Sequence, residues 1–505
     1  VHVNLRAVLF LLGMVLLLMA GFLLVPAAVA LHYGEERSLW SFVVSAGLSA
    51  VAGGALSIPT RGSTVAKDGH PNYFRREGLA VVGLTWLVGG IFGALPYLFA
   101  GTLHSPADAF FESVSGFTTT GSTVMPADVI DAMPRAVSFW RSFTHWLGGF
   151  GIVMVFVVLF PTGGRSLFRS EVPGVAREAG QQRVRDSARS LLRIYFGLSL
   201  AQFLLLWGVM HSWFDAAIHT FGTIATGGVS NYFSRVPAFD SLPAEVIIIV
   251  FMFVAGVNFG LYDLLLRTGP RSFWRRILLS AETRTYFWMV AGSSVFIALV
   301  LWLWGGGTGD PESDLPDYRY FGRALRDSTF QVISLQTSTG YGTADFDRWP
   351  QVCRVLLMVL MVVGACAGST GGGIKVVRII IVARASMQGV RRFVRPRAIH
   401  QVRVDGQSLD PAVVSSVTGY FALWVLVFLA GTLLLSAFGI DAETSATAVL
   451  ATLNNIGPGL SAVGPSMNFG PLPELSKLVL SVLMILGRLE FYAVVALVVP
   501  GFWKR

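Results

Sequence analysis

The stretch Thr337-Ser338-Thr339-Gly340-Tyr341-Gly342-Thr343, TSTGYGT, lies between an acidic loop and a long hydrophobic run. By itself Gly-Tyr-Gly reads as a turn, a common way for a chain to reverse direction. Its larger meaning depends on which side of a membrane it occupies and on whether the chain repeats it. The chain has 505 residues, of which 53% are hydrophobic and only 13% charged, a balance too apolar for a set of soluble domains. Apolar runs near the roughly 20 residues that cross hydrocarbon as helix occur at about 7–30, 39–60, 78–100, 136–161, 191–211, 244–266, 284–304, 351–382, 412–437 and 474–500. These predict a polytopic membrane protein with ten spans and both termini on one side.

The net charge of +9 would suit a nucleic-acid binder if the basic residues formed one patch. They instead occupy alternate loops: Arg61, Lys67, Arg75 and Arg76; the arginines from Arg165 to Arg193; Arg267, Arg271, Arg275, Arg276 and Arg284; Lys375 to Arg403; and Lys504 with Arg505. The intervening loops are poor in them, and GDPESDLPD (309–317) is acidic. This bias places the basic loops and both termini in the cytoplasm and TSTGYGT on the external half. The first span ends in AAVA, which is similar to a signal-peptidase site, but its apolar stretch exceeds a signal-peptide core and reads as an uncleaved anchor. Cys353 and Cys366 read as packing residues, with no disulfide framework or thiolate metal site.

Three more glycine-bearing polar stretches fall on the external side. ADAFFESVSGFTTTGST (107–123), FDAAIHTFGTIATGGVS (214–230), LRDSTFQVISLQTSTGYGT (325–343) and IDAETSATAVLATLNNIGPGL (440–460) share one plan. Each opens with an aspartate (Asp108, Asp215, Asp327, Asp441), runs about ten mostly apolar residues, and reaches a glycine: Gly121, Gly227, Gly340 and Gly457. The apolar part is too short to span but long enough for a helix entering halfway, with the aspartate as N-cap. The glycine segment returns as extended backbone, which at membrane depth must be buried in protein or line a wet cavity. Four such loops on one axis make a ring of carbonyls that replaces a cation's water shell. Glycine permits the torsions this needs.

These four loops, with WRSFTHWLGGFGIVM (140–154), GACAGSTGGGIKVVR (364–378) and ILGRLEFY (485–492), resemble the Trk, Ktr and HKT superfamily of potassium transporters over nearly the whole chain. The branch most similar is the bacterial TrkH/TrkG one, because two spans precede the first repeat. The resemblance implies an all-α polytopic fold of four pseudo-repeated helix–pore loop–helix units around one pore plus two N-terminal helices. The corresponding segments are 1–70, 71–165, 166–270, 271–400 and 401–505. It implies potassium as the transported ion, no organic cofactor and no enzymatic activity. Its potassium filter comprises Thr119, Thr120 and Gly121; Ala225, Thr226 and Gly227; Ser338, Thr339 and Gly340; and Asn455, Ile456 and Gly457. Ala225, Asn455 and Ile456 depart from the hydroxyl pattern of the other copies.

Several glycines inside one apolar run disfavour helix by roughly 1 kcal/mol each, so 351–382 should break at GACAGSTGGG, unless the glycines mark a close helix contact. The resemblance makes the break an intramembrane gating loop of Gly368, Ser369, Thr370, Gly371, Gly372, Gly373 and Lys375. A nucleotide-loop reading of GGGIKVV fails on spacing. Arg488 sits at membrane depth, where a lone charge is costly, and should face the pore or find an anion. Glu490 is on another helix face and a poor partner for it. Arg141 and His145, one turn apart, suggest structural hydrogen bonds near the external interface. The arginine-rich loops 162–193 and 384–410 suit anionic headgroups. The resemblance adds a cytoplasmic TrkA-like nucleotide-binding ring as partner, and a homodimer in the inner membrane. An alternating-access cation symporter would need coupling ionisable groups at the midplane, and a membrane enzyme would need clustered carboxylates or histidines; neither pattern stands out.

Overall fold

The computed structural model describes residues 3–62, 75–159, 181–230, 241–305, 318–395, 401–491, 494, 497 and 499–503. Loop 162–180, the acidic 309–317 and Lys504–Arg505 lie outside the described residues, as does part of the end of the last expected span. Among the described residues the regular structure is helical apart from a hairpin of two two-residue strands, Arg403–Val404 with Gln407–Ser408. Six described helices are long and apolar enough to cross a membrane, so the protein is multi-pass.

Two helices precede the repeats, α1 (Leu5–Tyr33) and α2 (Glu36–Ser57). They cross where Gly13 and Gly53 meet: a Cβ on either would stand 2.7 or 2.8 Å from the other's carbonyl oxygen, a close backbone approach of the small-residue kind. The buried serines of α2 satisfy themselves on the preceding turn, Ser45 Oγ donating to Ser41 O (2.7 Å) and Ser49 Oγ to Ser45 O (2.8 Å).

Each repeat then has an outer helix, a short pore helix, a loop and an inner helix. The first is α3 (Arg75–Ala100), α4 (Pro106–Phe117) and α6 (Arg135–Leu159), with the small α5 (Ala127–Asp131) in its loop. The second is α7 (Gln181–Met210), α8 (Trp213–Ile224), then α9 (Leu242–Ala255) and α10 (Phe259–Thr268), followed by the connecting α11 (Pro270–Leu279). The third is α12 (Ala281–Gly305), α13 (Phe321–Gln336), α14 (Gln351–Val362) and α15 (Val376–Val394). The fourth is α16 (Pro411–Ala437), α17 (Ala442–Leu453) and α18 (Glu474–Arg488), with α19 (Pro500–Trp503) at the end.

The inner helices depart from straight spans. The expected span 244–266 is two helices bent by 90° at Gly256–Asn258, where the Asn258 side chain caps α10 by accepting from Gly260 N (2.8 Å). The break falls at Gly256–Asn258 inside this otherwise apolar run and is stabilised by Asn258 and by Gly368 O, which accepts from Phe259 N (3.0 Å). The run 351–382 breaks as expected, between Val362 and Val376. The last span is interrupted at Arg488, followed by Glu490 and Phe491 at positive φ (54° and 60°).

The aspartates are not all caps. Only Asp441 is an N-cap, accepting from Thr444 N (2.9 Å). Asp108 and Asp215 lie inside the first turns of α4 and α8, where Ser105 and Ser212 hold the cap positions, and Asp327 is in the second turn of α13. Dipole complementarity survives in the first two; Asp108 also pairs with Lys477 of α18.

Candidate functional site: a four-loop ring and the segment beneath it

The four pore helices end alike. Each is followed by a C-cap residue (Thr118, Ala225, Thr337, Asn454) and then by a left-handed non-glycine residue: Thr119 (φ 54°), Thr226 (53°), Ser338 (58°) and Asn455 (53°). The next amide turns back onto its own helix: Thr120 N to Ser115 O (2.9 Å), Gly227 N to Gly222 O (2.8 Å), Thr339 N to Ser334 O (2.8 Å), Ile456 N to Ala451 O (2.9 Å). This is the Schellman type of helix ending, built four times. A glycine at positive φ follows in each: Gly121 (83°), Gly228 (57°), Gly340 (80°) and Gly457 (109°).

This corrects the register of the second loop. Gly228, not Gly227, is the counterpart of Gly121, Gly340 and Gly457, and Gly227 matches Thr120, Thr339 and Ile456. Ala225 therefore belongs with the helix caps, one residue earlier than alignment on the first glycine placed it. Two adjacent glycines made that slip invisible in sequence; the torsions and the turn-back bonds remove it.

The loops close into a ring. A Cβ built on Gly121 would strike Gly227 O, one on Gly228 would strike Thr339 O, and one on Gly340 would strike Ile456 O; on Gly457 it would stand 3.0 Å from Thr120 O. Each glycine thus abuts the carbonyl of the residue before the next loop's glycine, from first to second, second to third, third to fourth and fourth back to first. A side chain there meets backbone that cannot swing away, in a torsion that L-residues adopt at a cost. Four carbonyls are held around one axis.

Supports differ from loop to loop. Ser115 Oγ donates to Ser122 O (2.6 Å) and Ser334 Oγ to Tyr341 O (2.7 Å), whereas the matching residues of the other loops, Gly222 and Ala451, carry no donor. Ser122 Oγ reaches across to Gly457 O (2.8 Å), and Asn455 Nδ2 to Thr120 Oγ1 (3.0 Å), tying the first loop to the fourth. Arg141 forms a buried ion pair with Glu112 (2.6 Å) and donates to Ser230 O (3.1 Å). Glu112 in turn accepts from Val124 N (3.1 Å) and Thr123 Oγ1 (3.0 Å), so one carboxylate fixes the ascending limb of the first loop. Sequence reading passed over Glu112, although an acid inside the apolar FFESVSG was a signal. His145 is placed otherwise than expected: its buried Nδ1 has no hydrogen-bond partner among the described residues, and the ring packs against Gly227.

Residues 363–375 lie against the ends of the pore helices. Gly372 N donates to Ser338 Oγ (2.6 Å) and Thr370 Oγ1 to Ile224 O (3.0 Å); a Cβ on Gly371 would stand 2.9 Å from Thr337 O and one on Gly372 3.0 Å from Asn455 Cβ. The segment therefore touches three of the four loops from the helix side. Its ends are pinned by Gly364 N to Ile374 O (3.0 Å) and Cys366 N to Gly256 O (3.0 Å), and Lys375 Nζ folds back onto Gly371 O. Gly368 and Gly373 sit at positive φ, and Ser369 Oγ donates to Cys366 O (2.7 Å). A further residue not foreseen, Glu282 at the start of α12, accepts from Ala367 N (2.6 Å) and Val377 N (3.3 Å), joining the loop to the first turn of α15.

Arg488 is buried and donates from Nη1 to Thr370 O (2.9 Å) and from Nη2, at 3.5 Å, towards Gly148 O. Its anchors are carbonyls of segment 363–375 and of α6. Glu490 pairs with Arg378. Among the described residues no group of three or more His, Cys, Asp or Glu side chains could hold a metal.

Comparison with known proteins agrees with this architecture. Residues 49–504 match the family model TrkH, described as a cation transport protein. The chain is 35% identical to the Trk system potassium uptake protein TrkH of Halomonas elongata over 513 residues, covering 99% of this chain and 100% of that one. It is 34% identical to TrkH of Escherichia coli K12 over 99% of both. The crystal structure of the potassium transporter TrkH from Vibrio parahaemolyticus superimposes with a TM-score of 0.84 at 33% identity, covering 99% of this chain and 100% of that chain. Fold, repeats and similarity together place the chain in the TrkH family of cation transport proteins.

Proposed function

We propose that the chain is the potassium-translocating subunit of a Trk-type uptake system in the inner membrane, with both termini cytoplasmic. The observation that carries this reading is the closed cycle of glycine-to-carbonyl contacts, because a ring of fixed carbonyls is what a dehydrated monovalent cation requires. Pore-helix C-termini aimed at the axis add partial negative charge. The filter comprises Thr119 to Gly121, Thr226 to Gly228, Ser338 to Gly340 and Asn455 to Gly457. Membrane potential drives the ion inward, at about 2.3 kcal/mol per charge per 100 mV.

Segment 368–375 is the gate in this reading. Its contacts with Ser338, Ile224 and Thr337 close the inner mouth, and Arg488 holds it there while raising the barrier to cations. Opening is controlled from the cytoplasm by a separate nucleotide-binding ring, in keeping with the name Trk system borne by the relatives. The protein works as a homodimer, each chain with its own pore and no catalytic chemistry.

The test is cation flux in proteoliposomes, comparing the intact chain with Gly340→Ser. Loss of potassium-over-sodium preference is the expected result. An unchanged preference places selectivity elsewhere, and a low turnover ceiling in the intact chain would favour an alternating-access symporter.

A further inference from the structure

The 90° bend at Gly256–Asn258 turns α10 out of the direction of α9. If α9 follows the membrane normal, α10 lies in the plane of the surface, and α11 returns beside it to enter α12. The hairpin α10–α11 is thus held at the level of the headgroups by the two spans on either side. Helical spacing gives α11 a divided surface. Trp274 and Leu278 share one side, exposed to 60% and 66%, and Arg271 and Arg275 border it. No residue of α11 is buried, and among the described residues none covers this side.

Between the two helices lies a cleft of about 320 Å³ lined by Leu264, Thr268, Ser272, Arg275, Arg276 and Leu279. Arg267 is taken up by Asp263 (2.8 Å), whereas Arg275 and Arg276 have no carboxylate partner among the described residues. Two guanidiniums and Ser272 on the acid-free α11, with the Thr268 hydroxyl and leucines beside them, match a phosphodiester attached to an acyl chain. An exposed tryptophan and leucine flanked by arginine are the surface chemistry of a helix seated in an anionic leaflet.

We infer that α10–α11 is a binding site for anionic phospholipid, with Trp274 and Leu278 in the acyl boundary and Arg275 and Arg276 on the headgroup phosphate. The site rests on the orientation proposed above only for its choice of the cytoplasmic leaflet.

The test uses the full chain in detergent with phosphatidylglycerol or phosphatidylcholine, lipid retention being read by native mass spectrometry. The intact chain should retain phosphatidylglycerol preferentially, and Arg275→Gln/Arg276→Gln should lower that preference roughly 30-fold, the equivalent of about 1 kcal/mol per arginine. Equal preference in both proteins overturns the site, whatever their potassium flux. Should the double variant fail to fold, a nitroxide on Leu278→Cys in phosphatidylglycerol vesicles decides independently. Collision with oxygen but not with a water-soluble nickel chelate supports the bilayer as occupant. Access to the chelate means bare solvent, and access to neither means a second copy or another protein; both overturn it.

Discussion

The Glu112–Arg141 pair illustrates how one charge can anchor a loop of the ring. Both side chains are nearly inaccessible, and Glu112 also bonds Val124 N and Thr123 Oγ1. Removing one member leaves an uncompensated buried charge, which costs about 3–5 kcal/mol, while replacing both by apolar groups of similar size costs far less. Glu112→Gln should therefore lower the unfolding temperature in detergent sharply, and Glu112→Leu/Arg141→Met should recover much of the loss. A single variant as stable as the parent would mean the pair is not what holds this loop. The same scale separates the two glycines of the second loop. Gly228→Ala meets Thr339 O in a left-handed torsion, so it should remove the potassium-over-sodium preference as fully as a substitution at Gly340. Retained preference in Gly228→Ala would overturn the corrected register.

At the scale of elements, helix ends and helix breaks decide most. Asp441 caps α17, and the bonds from the Thr444 side chain and amide hold its carboxyl below the usual carboxylate range. A depressed folded value means the cap's contribution is complete above the unfolded value of about 3.9 and is lost as pH falls through the lower folded value. Asp441→Ala should cost about 1 kcal/mol at neutral pH and Asp441→Asn little, read as amide exchange in the first turn of α17. The break between α14 and α15 is latched by Glu282, whose carboxylate joins Ala367 N to Val377 N. Under the gating proposal, Glu282→Ala should raise basal flux without altering ion preference, and Glu282→Gln, which keeps the acceptor oxygen, should resemble the parent. Equal basal flux in all three would separate the latch from the gate.

At the scale of the whole molecule, the proposed filter draws on four loops, so ion occupancy would be linked to the packing of every repeat. A ligand bound only by the folded state stabilises it by about 2.7 kcal/mol at a hundred times its dissociation constant. Potassium should thus raise the unfolding temperature above that in sodium at equal ionic strength, by an amount growing with the logarithm of potassium concentration. The same temperature in both salts would argue against a selective carbonyl ring.

What could be read from sequence follows from what each signal depends on. Spans and the recurrence of the pore loops rest on hydropathy and glycine spacing, local properties of a chain whose solvent is the bilayer. The glycines of TSTGYGT and its three counterparts were visible for that reason. Tertiary structure alone decided that Gly228 is the second loop's ring glycine, that the run 244–266 bends at Asn258, and that Glu112 and Glu282 are braces. Torsion, bend and buried pairing depend on groups brought together from distant segments: Gly228 is defined by Thr339 O, Glu112 by Arg141, and Glu282 by Ala367 and Val377.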